Sequence, residues 1–104
     1  MTSAEPLFVV SSAVEVPVEG ASALEEAFAA RLGEVESAPG FVRLEVWRQE
    51  GRQGSYVMVS WWRQESDFRA YMRSDAHRRS HARVLGAPWR PRGTGVTRYR
   101  LVAE

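Results

Sequence analysis

A chain of 104 residues, 44% hydrophobic and 26% charged, has the make-up of one folded domain with one modest core rather than of a disordered tail. It contains no cysteine, which excludes a disulfide framework, thiolate metal sites and a cysteine nucleophile. The net charge of +1 conceals a split: residues 1–50 hold nine acids and three arginines, while residues 51–104 hold eleven arginines and four acids.

In chain order, "LFVVSSAVEV" (7–16) alternates and is rich in β-branched residues, so it predicts a strand. "PVEGA" interrupts it, and Ser22 with Glu25 three residues on has the spacing of a capping box. Leu24, Ala27, Phe28, Leu32 and Val35 then recur at helical intervals until "SAPG" (37–40) ends the helix. "FVRLEVWRQ" (41–49) and "SYVMVSWW" (55–62) read as two strands joined by the hairpin turn "EGRQG". A helical segment over 65–86, broken at Ser74, precedes the Pro/Gly-rich loop "GAPWRPRGTG" (86–95) and a last strand, "VTRYRLVA" (96–103). The order β-α-β-β-α-β defines an α+β, ferredoxin-like fold: a four-stranded antiparallel sheet with helices on one face, here a single domain over residues 1–104.

The strands also speak to assembly. In the second strand Val42, Leu44 and Val46 point one way, suited to packing under helices, and Phe41, Arg43, Glu45 and Trp47 point the other. In the third strand both faces are largely apolar, with Val57, Val59 and Trp61 on one and Tyr56, Met58 and Trp62 on the other. A one-sided antiparallel sheet leaves a polar outer face, and this one does not, so a homodimer with two sheets face to face is expected. There is no run of 18 apolar residues and the start "MTSAEP" lacks a basic or apolar leader, which predicts a cytoplasmic protein that makes no use of a membrane. The arginine-rich half, with no acid between Asp75 and Glu104, is either a solvated basic face or a seat for carboxylates or phosphates. Nucleic acid is not expected, since the arginines are not interleaved with a stacking motif.

The run "YVMVSWWRQESDFRAYMRSDAHRRSHARV" resembles the antibiotic biosynthesis monooxygenase superfamily, a set of dimeric α+β barrels, and within it the Isd-type haem-degrading monooxygenases. The likeness is carried by Trp62 ending the third strand, Phe68 six residues on, Tyr71 three further, and a histidine, His81, ten beyond that. It extends to the first helix and its exit, "EVPVEGASALEEAFAARLGEVESAPGF". The resemblance implies that His81 is the haem-iron ligand, that Phe28, Trp62, Phe68 and Tyr71 wall a cavity, and that Arg78, Arg79 or Arg83 meets the propionates. Ser12 falls where the family usually carries an asparagine that donates a hydrogen bond near the iron, and Tyr71 where it usually carries a tryptophan. Serine donates one hydrogen bond, and tyrosine keeps an aromatic wall while adding a hydroxyl.

The function so implied is O2-dependent opening of the porphyrin with release of iron, haem being both cofactor and substrate and an external donor supplying electrons. Two alternatives remain open. One is a cofactor-independent monooxygenase of the same superfamily that oxidises polyphenolic aromatics to quinones, with His81 as a base. The other is a non-catalytic dimeric binding or stress module. The resemblance implies an apolar residue where His77 stands, so His77 reads as a bystander near the pocket rim; a His77–His81 metal clamp is disfavoured because "HRRSH" lacks the glutamate of the zinc-protease motif and a third ligand. Trp89 either caps the cavity or anchors its loop.

Overall fold

Pairing fixes the architecture. In the computed structural model, which describes residues 7–29, 35–79 and 92–103, four strands form one antiparallel sheet. They are β1 (Phe8–Glu15), β2 (Phe41–Arg48), β3 (Ser55–Trp62) and β4 (Arg92–Arg100), ordered β2-β3-β1-β4. With α1 (Val18–Ala29) after β1 and α2 (Glu65–Met72) after β3, this is the ferredoxin-like arrangement.

Helix α1 begins earlier than the capping box implies. Its first residue is Val18, with Pro17 just before it accepting from the Gly20 backbone N–H at 2.8 Å, so Ser22 lies inside the helix. Proline suits this position because its fixed φ is already close to helical and a helix start lacks N–H partners anyway. Val35 is not part of α1: it opens a 3-10 turn, Val35–Ser37, and is buried. Leu32 lies outside the described residues. Helix α2 ends at Met72 and residues 75–79 are helical again, so the break at Ser74 is present. Its cause is local: the Ser74 hydroxyl donates to the Tyr71 carbonyl at 2.6 Å and accepts from the His77 backbone N–H at 3.2 Å, ending one turn and capping the next. Strand β4 starts in what the composition marks as loop and stops at Arg100.

Two glycines hold close approaches. Gly40, at φ 78°, follows the 3-10 turn, and a Cβ there would overlap the Asp67 carboxylate on α2. Gly54, at φ 83°, ends the β2–β3 hairpin turn, where a Cβ would collide with the Val16 carbonyl oxygen. Its own carbonyl accepts from the Val16 N–H at 2.9 Å, tying the hairpin to the start of α1.

Residues paired across antiparallel strands share a face, so the register sorts the sheet. The helix side carries the rows Phe41–Trp62–Phe8–Arg100, Leu44–Ser60–Val10–Arg98 and Val46–Met58–Ser12–Val96, followed by Arg48–Tyr56–Val14. The outer side carries Arg43, Glu45 and Trp47 of β2, Val57, Val59 and Trp61 of β3, Val9, Ser11 and Ala13 of β1, and Thr97 and Tyr99 of β4. Phe41 therefore departs from the expected alternation. A register shift between Phe41 and Arg43 makes Val42 an extra residue, and Phe41 turns inward onto Trp62, with ring centroids 5.6 Å apart.

Two separate hydrophobic clusters pack on the helix side. One is aromatic: Phe8, Val10, Val35, Trp62 and Phe68, with Ala38, Phe41 and Tyr71 against them. The other is more aliphatic: Val16, Leu24 and Tyr56, with Val14, Ala21, Phe28 and Val46 against them.

Candidate active site: a trough between two clusters

Between the clusters the helix side of the sheet is incompletely covered. Ser12, Met58 and Ser60 are half-buried in its middle, Leu44 is 39% exposed at the β2 end, and Val96 is 60% exposed at the β4 end. None of these five belongs to either cluster. They make a trough running across all four strands, about 14 Å at the usual interstrand spacing. Its floor is apolar except for two hydroxyls, on Ser12 and Ser60.

The aromatic wall is built from the Trp62 row upward. Trp62 is 1% exposed, and its Nε1–H donates to Ser60 Oγ at 2.9 Å, so the indole's one polar group is satisfied. The Phe68 ring lies 5.7 Å from Trp62 at 67° and 5.9 Å from Phe8. Tyr71 stacks tilted on Trp62 at 5.6 Å, and His77 meets the Tyr71 ring edge-on at 5.4 Å. Trp62 and Phe68 are thus core residues that stiffen the wall and offer almost no surface to a ligand, whereas Tyr71 and His77 are half-buried.

The opposite wall belongs to α1. Phe28 packs on the Leu24–Tyr56 cluster, one helical turn beyond Glu25. The Tyr56 hydroxyl donates to Glu25 Oε2 at 2.5 Å, and Arg48 Nη1 reaches both Glu25 oxygens at 2.9 and 3.1 Å. Burial, then the hydrogen bond to Glu25, pushes the Tyr56 hydroxyl up to about 12. The Tyr56 and Arg48 hydrogen bonds hold the Glu25 carboxyl below its usual range, and the Glu25 partner raises Arg48.

The expected site residues therefore fall into groups. Tyr71, Trp62 and Phe68 share one wall, Phe28 lies at the other, and Ser12 is on the floor between them. Arg78 is tied to Asp75 in an exposed ion pair. Arg79 and Tyr71 line a different groove of about 350 Å³, between residues 37–39 and the α2 side, with Asp67, Ala70 and Ser74. That groove contains neither Ser12 nor Phe28, and we place the candidate site in the trough because its two floor hydroxyls lie between the two clusters. His81, Arg83 and Trp89 lie outside the described residues.

Ser60 was not singled out by its sequence. It shows itself only through register: it faces as Trp62 and Met58 do, and neighbours Ser12 diagonally. Because its oxygen accepts from Trp62, its own proton is left to donate.

A four-stranded antiparallel sheet of this order, with both helices on one face, defines the ferredoxin-like α+β class. Residues 7–83 match the family model described as antibiotic biosynthesis monooxygenase, and the chain belongs to that family of monooxygenases. Among curated proteins it is 33% identical over 78 residues to a staphylobilin-producing haem oxygenase of Staphylococcus haemolyticus, covering 72% of this chain and 73% of that one. It is 32% identical over 65 residues to a mycobilin-producing haem oxygenase of Mycobacterium tuberculosis, covering 62% of each. Among solved structures it is similar to the haem-degrader MhuD of Mycobacterium tuberculosis, with two haems bound in its active site, at 27% identity and a TM-score of 0.67 over 95% of this chain and 98% of that one.

Proposed function

We propose that the protein binds haem in the trough and opens its porphyrin ring with O2, releasing iron. The observation that carries this reading is the uncovered floor of Ser12, Met58, Ser60 and Leu44 between two walls, Tyr71 on one and Phe28 on the other. A long apolar slot with few polar groups suits a flat macrocycle that must shed water from both faces. Family membership supports the same reading, as do the haem oxygenases to which the chain is similar.

Haem, as the substrate, would supply the redox-active iron at which dioxygen is reduced by an external electron donor and the carbon that is oxidised. The chain's own residues do the rest. His81 is the iron ligand of this proposal, since a neutral imidazole nitrogen binds haem iron well. Tyr71, backed by Trp62 and Phe68, forms a stiff wall that fixes the plane of the ring. Phe28, held by the clasp of Glu25, Tyr56 and Arg48, closes the other side against water. Ser12 and Ser60 each present a hydroxyl that can hold one polar atom at the floor and steer where oxidation falls.

The functional unit of this proposal is a homodimer formed through the outer face. Val59 is only 5% exposed there, yet Trp47 and Tyr99 are each half-exposed, and the Arg43 guanidinium lies 4.2 Å over the Trp61 ring. A second copy of the same sheet would cover those aromatics. A sedimentation run giving a stable monomer at micromolar concentration would count against the dimer.

Haemin titration into the purified protein tests the function. The expected result is a shifted Soret band at one or two equivalents, lost or moved in His81→Ala, followed by its decay when ascorbate and air are supplied. No Soret shift in the wild type removes the haem reading. Oxygen uptake with a dihydroxy-aromatic in the absence of haem would favour the cofactor-independent alternative instead.

A further inference from the structure

The arginines differ in what they already hold. Arg52 pairs with Glu15 and Arg69 with Glu65, each at 2.7–2.9 Å, and Arg78 pairs with Asp75. Arg43 is drawn to Glu45 and Trp61 on the outer face, and Arg48 to Glu25. Arg63 and Arg73 lie in the turns at either end of α2. Like those two, Arg98 is exposed and among the described residues makes no ion pair and no side-chain hydrogen bond, but it alone of the three lies on the sheet, facing the helix side.

Its position is equally specific. Arg98 pairs with Val10, and Val10 belongs to the helix-side cluster, so Arg98 shares that face. It sits one row from Ser12 and Val96, at the β4 end of the trough. Arg100, two residues on and hence about 7 Å along the same strand face, pairs with Phe8 and holds its guanidinium 5.3 Å over that ring. No acid lies in the sequence between Asp75 and Glu104, so none on β4 offsets the two cations. An edge strand therefore presents two guanidiniums at the open end of an apolar slot, one of them free to turn.

We infer that Arg98, flanked by Arg100, is the carboxylate-binding end of the trough, receiving the acidic edge of a flat dianionic ligand whose apolar body lies on Ser12, Met58 and Ser60. The inference rests on the haem reading for the ligand and replaces Arg78, which Asp75 already engages, as the charge partner. Guanidinium meets a carboxylate through two parallel hydrogen bonds, so the site fixes orientation as well as adding affinity. Arg98 is a positioning residue here; it touches neither iron nor the oxidised carbon.

The test uses the full-length protein with iron-free protoporphyrin IX and its dimethyl ester, both followed by fluorescence titration, beside haemin followed at the Soret band. Arg98→Gln is expected to weaken binding of the free diacid and of haemin on the order of tenfold, and to leave the diester unchanged. Arg98→Lys, which keeps the charge but loses the fork, is expected to fall between. His81→Ala is expected to weaken haemin while sparing the iron-free diacid. Equal affinity of wild type and Arg98→Gln for the diacid would overturn the inference and leave the haem reading standing. A wild type that binds neither porphyrin would overturn both. An Arg98→Gln loss of the same size for the diester would show a general packing defect and overturn the carboxylate role.

Discussion

The two clusters under the helices solve the same problem with different chemistry. The Trp62 end is a stack of rings, with Phe41, Phe68 and Tyr71 set around one indole at centroid distances of 5.6–5.7 Å and Phe8 against Phe68 at 5.9 Å. Its indole N–H is satisfied within a single strand, by the Ser60 hydroxyl. The Leu24 end buries less aromatic surface and instead ties helix to sheet by the clasp of Glu25, Tyr56 and Arg48. Rings hold their place by shape and area; the clasp holds by direction and charge. A wall made of rings can face an apolar ligand without leaving polar groups unmatched, whereas the clasp fixes the height of α1 above the sheet. The trough exists because the two do not merge.

Replacing the hub of the first end should have the largest effect. Trp62→Ala removes a side chain that is 1% exposed and contacts three rings, and should cost about 3–5 kcal/mol in urea unfolding. It should also loosen Tyr71, seen as lost near-ultraviolet circular dichroism. Leu24→Ala at the other end, where the side chain is wholly buried, should cost about 2–5 kcal/mol. Its effect should leave the Trp62 signal in place.

The clasp can be probed more finely. Tyr56→Phe deletes the hydroxyl bonded to Glu25 and should cost about 1–2 kcal/mol near neutral pH. The pH dependence follows from the two shifts. The folded state holds the Tyr56 proton up to about 12, above the tyrosine's usual value of 10. That contribution is therefore complete below pH 10 and is lost as pH rises through 12. Glu25 is shifted down from its usual 4.5, so its contribution is present above that value and disappears as pH falls further. Ultraviolet titration of the three tyrosines should show one ionising near 12, absent in Tyr56→Phe. If all three ionise near 10, the hydroxyl is not held as described.

The smallest expected signal tests whether the ends are separate. Phe68→Leu and Leu24→Val, made singly and together, should add within about 0.5 kcal/mol, because the residues belong to clusters with no shared member. Coupling of 1 kcal/mol or more would mean one continuous core and no trough.

Much of this plan was legible in the chain. β-branched alternation marked β1 and β3 almost to the residue, and the turn composition of "EGRQG" marked the hairpin between β2 and β3. The start of α1 was not, because Ser22 and Glu25 have capping-box spacing while Pro17 is the residue that opens the helix, freeing Glu25 to bond across to β3. The start of β4 was hidden by glycine and arginine, which pair with β1 through backbone groups that composition does not report. Of the site, the Tyr71–Trp62–Phe68 grouping was legible through the family resemblance that these residues carry. Ser60 and Arg98 could not be found that way, since they join the trough only through cross-strand register. Arg78 is held in an exposed ion pair by Asp75, three residues away.

The additional residue in β2 has a consequence for how this chain can vary in length. Phe41 opposes Trp62 and Arg43 opposes Trp61, so Val42 is the surplus between them. Deleting Val42 would restore plain alternation with the phenylalanine still inward and the arginine still outward. At most points in a strand the loss of one residue reverses every side chain beyond it. Here the ladder carries a built-in slack, and sequences one position shorter at this spot can keep both of their surfaces unaltered.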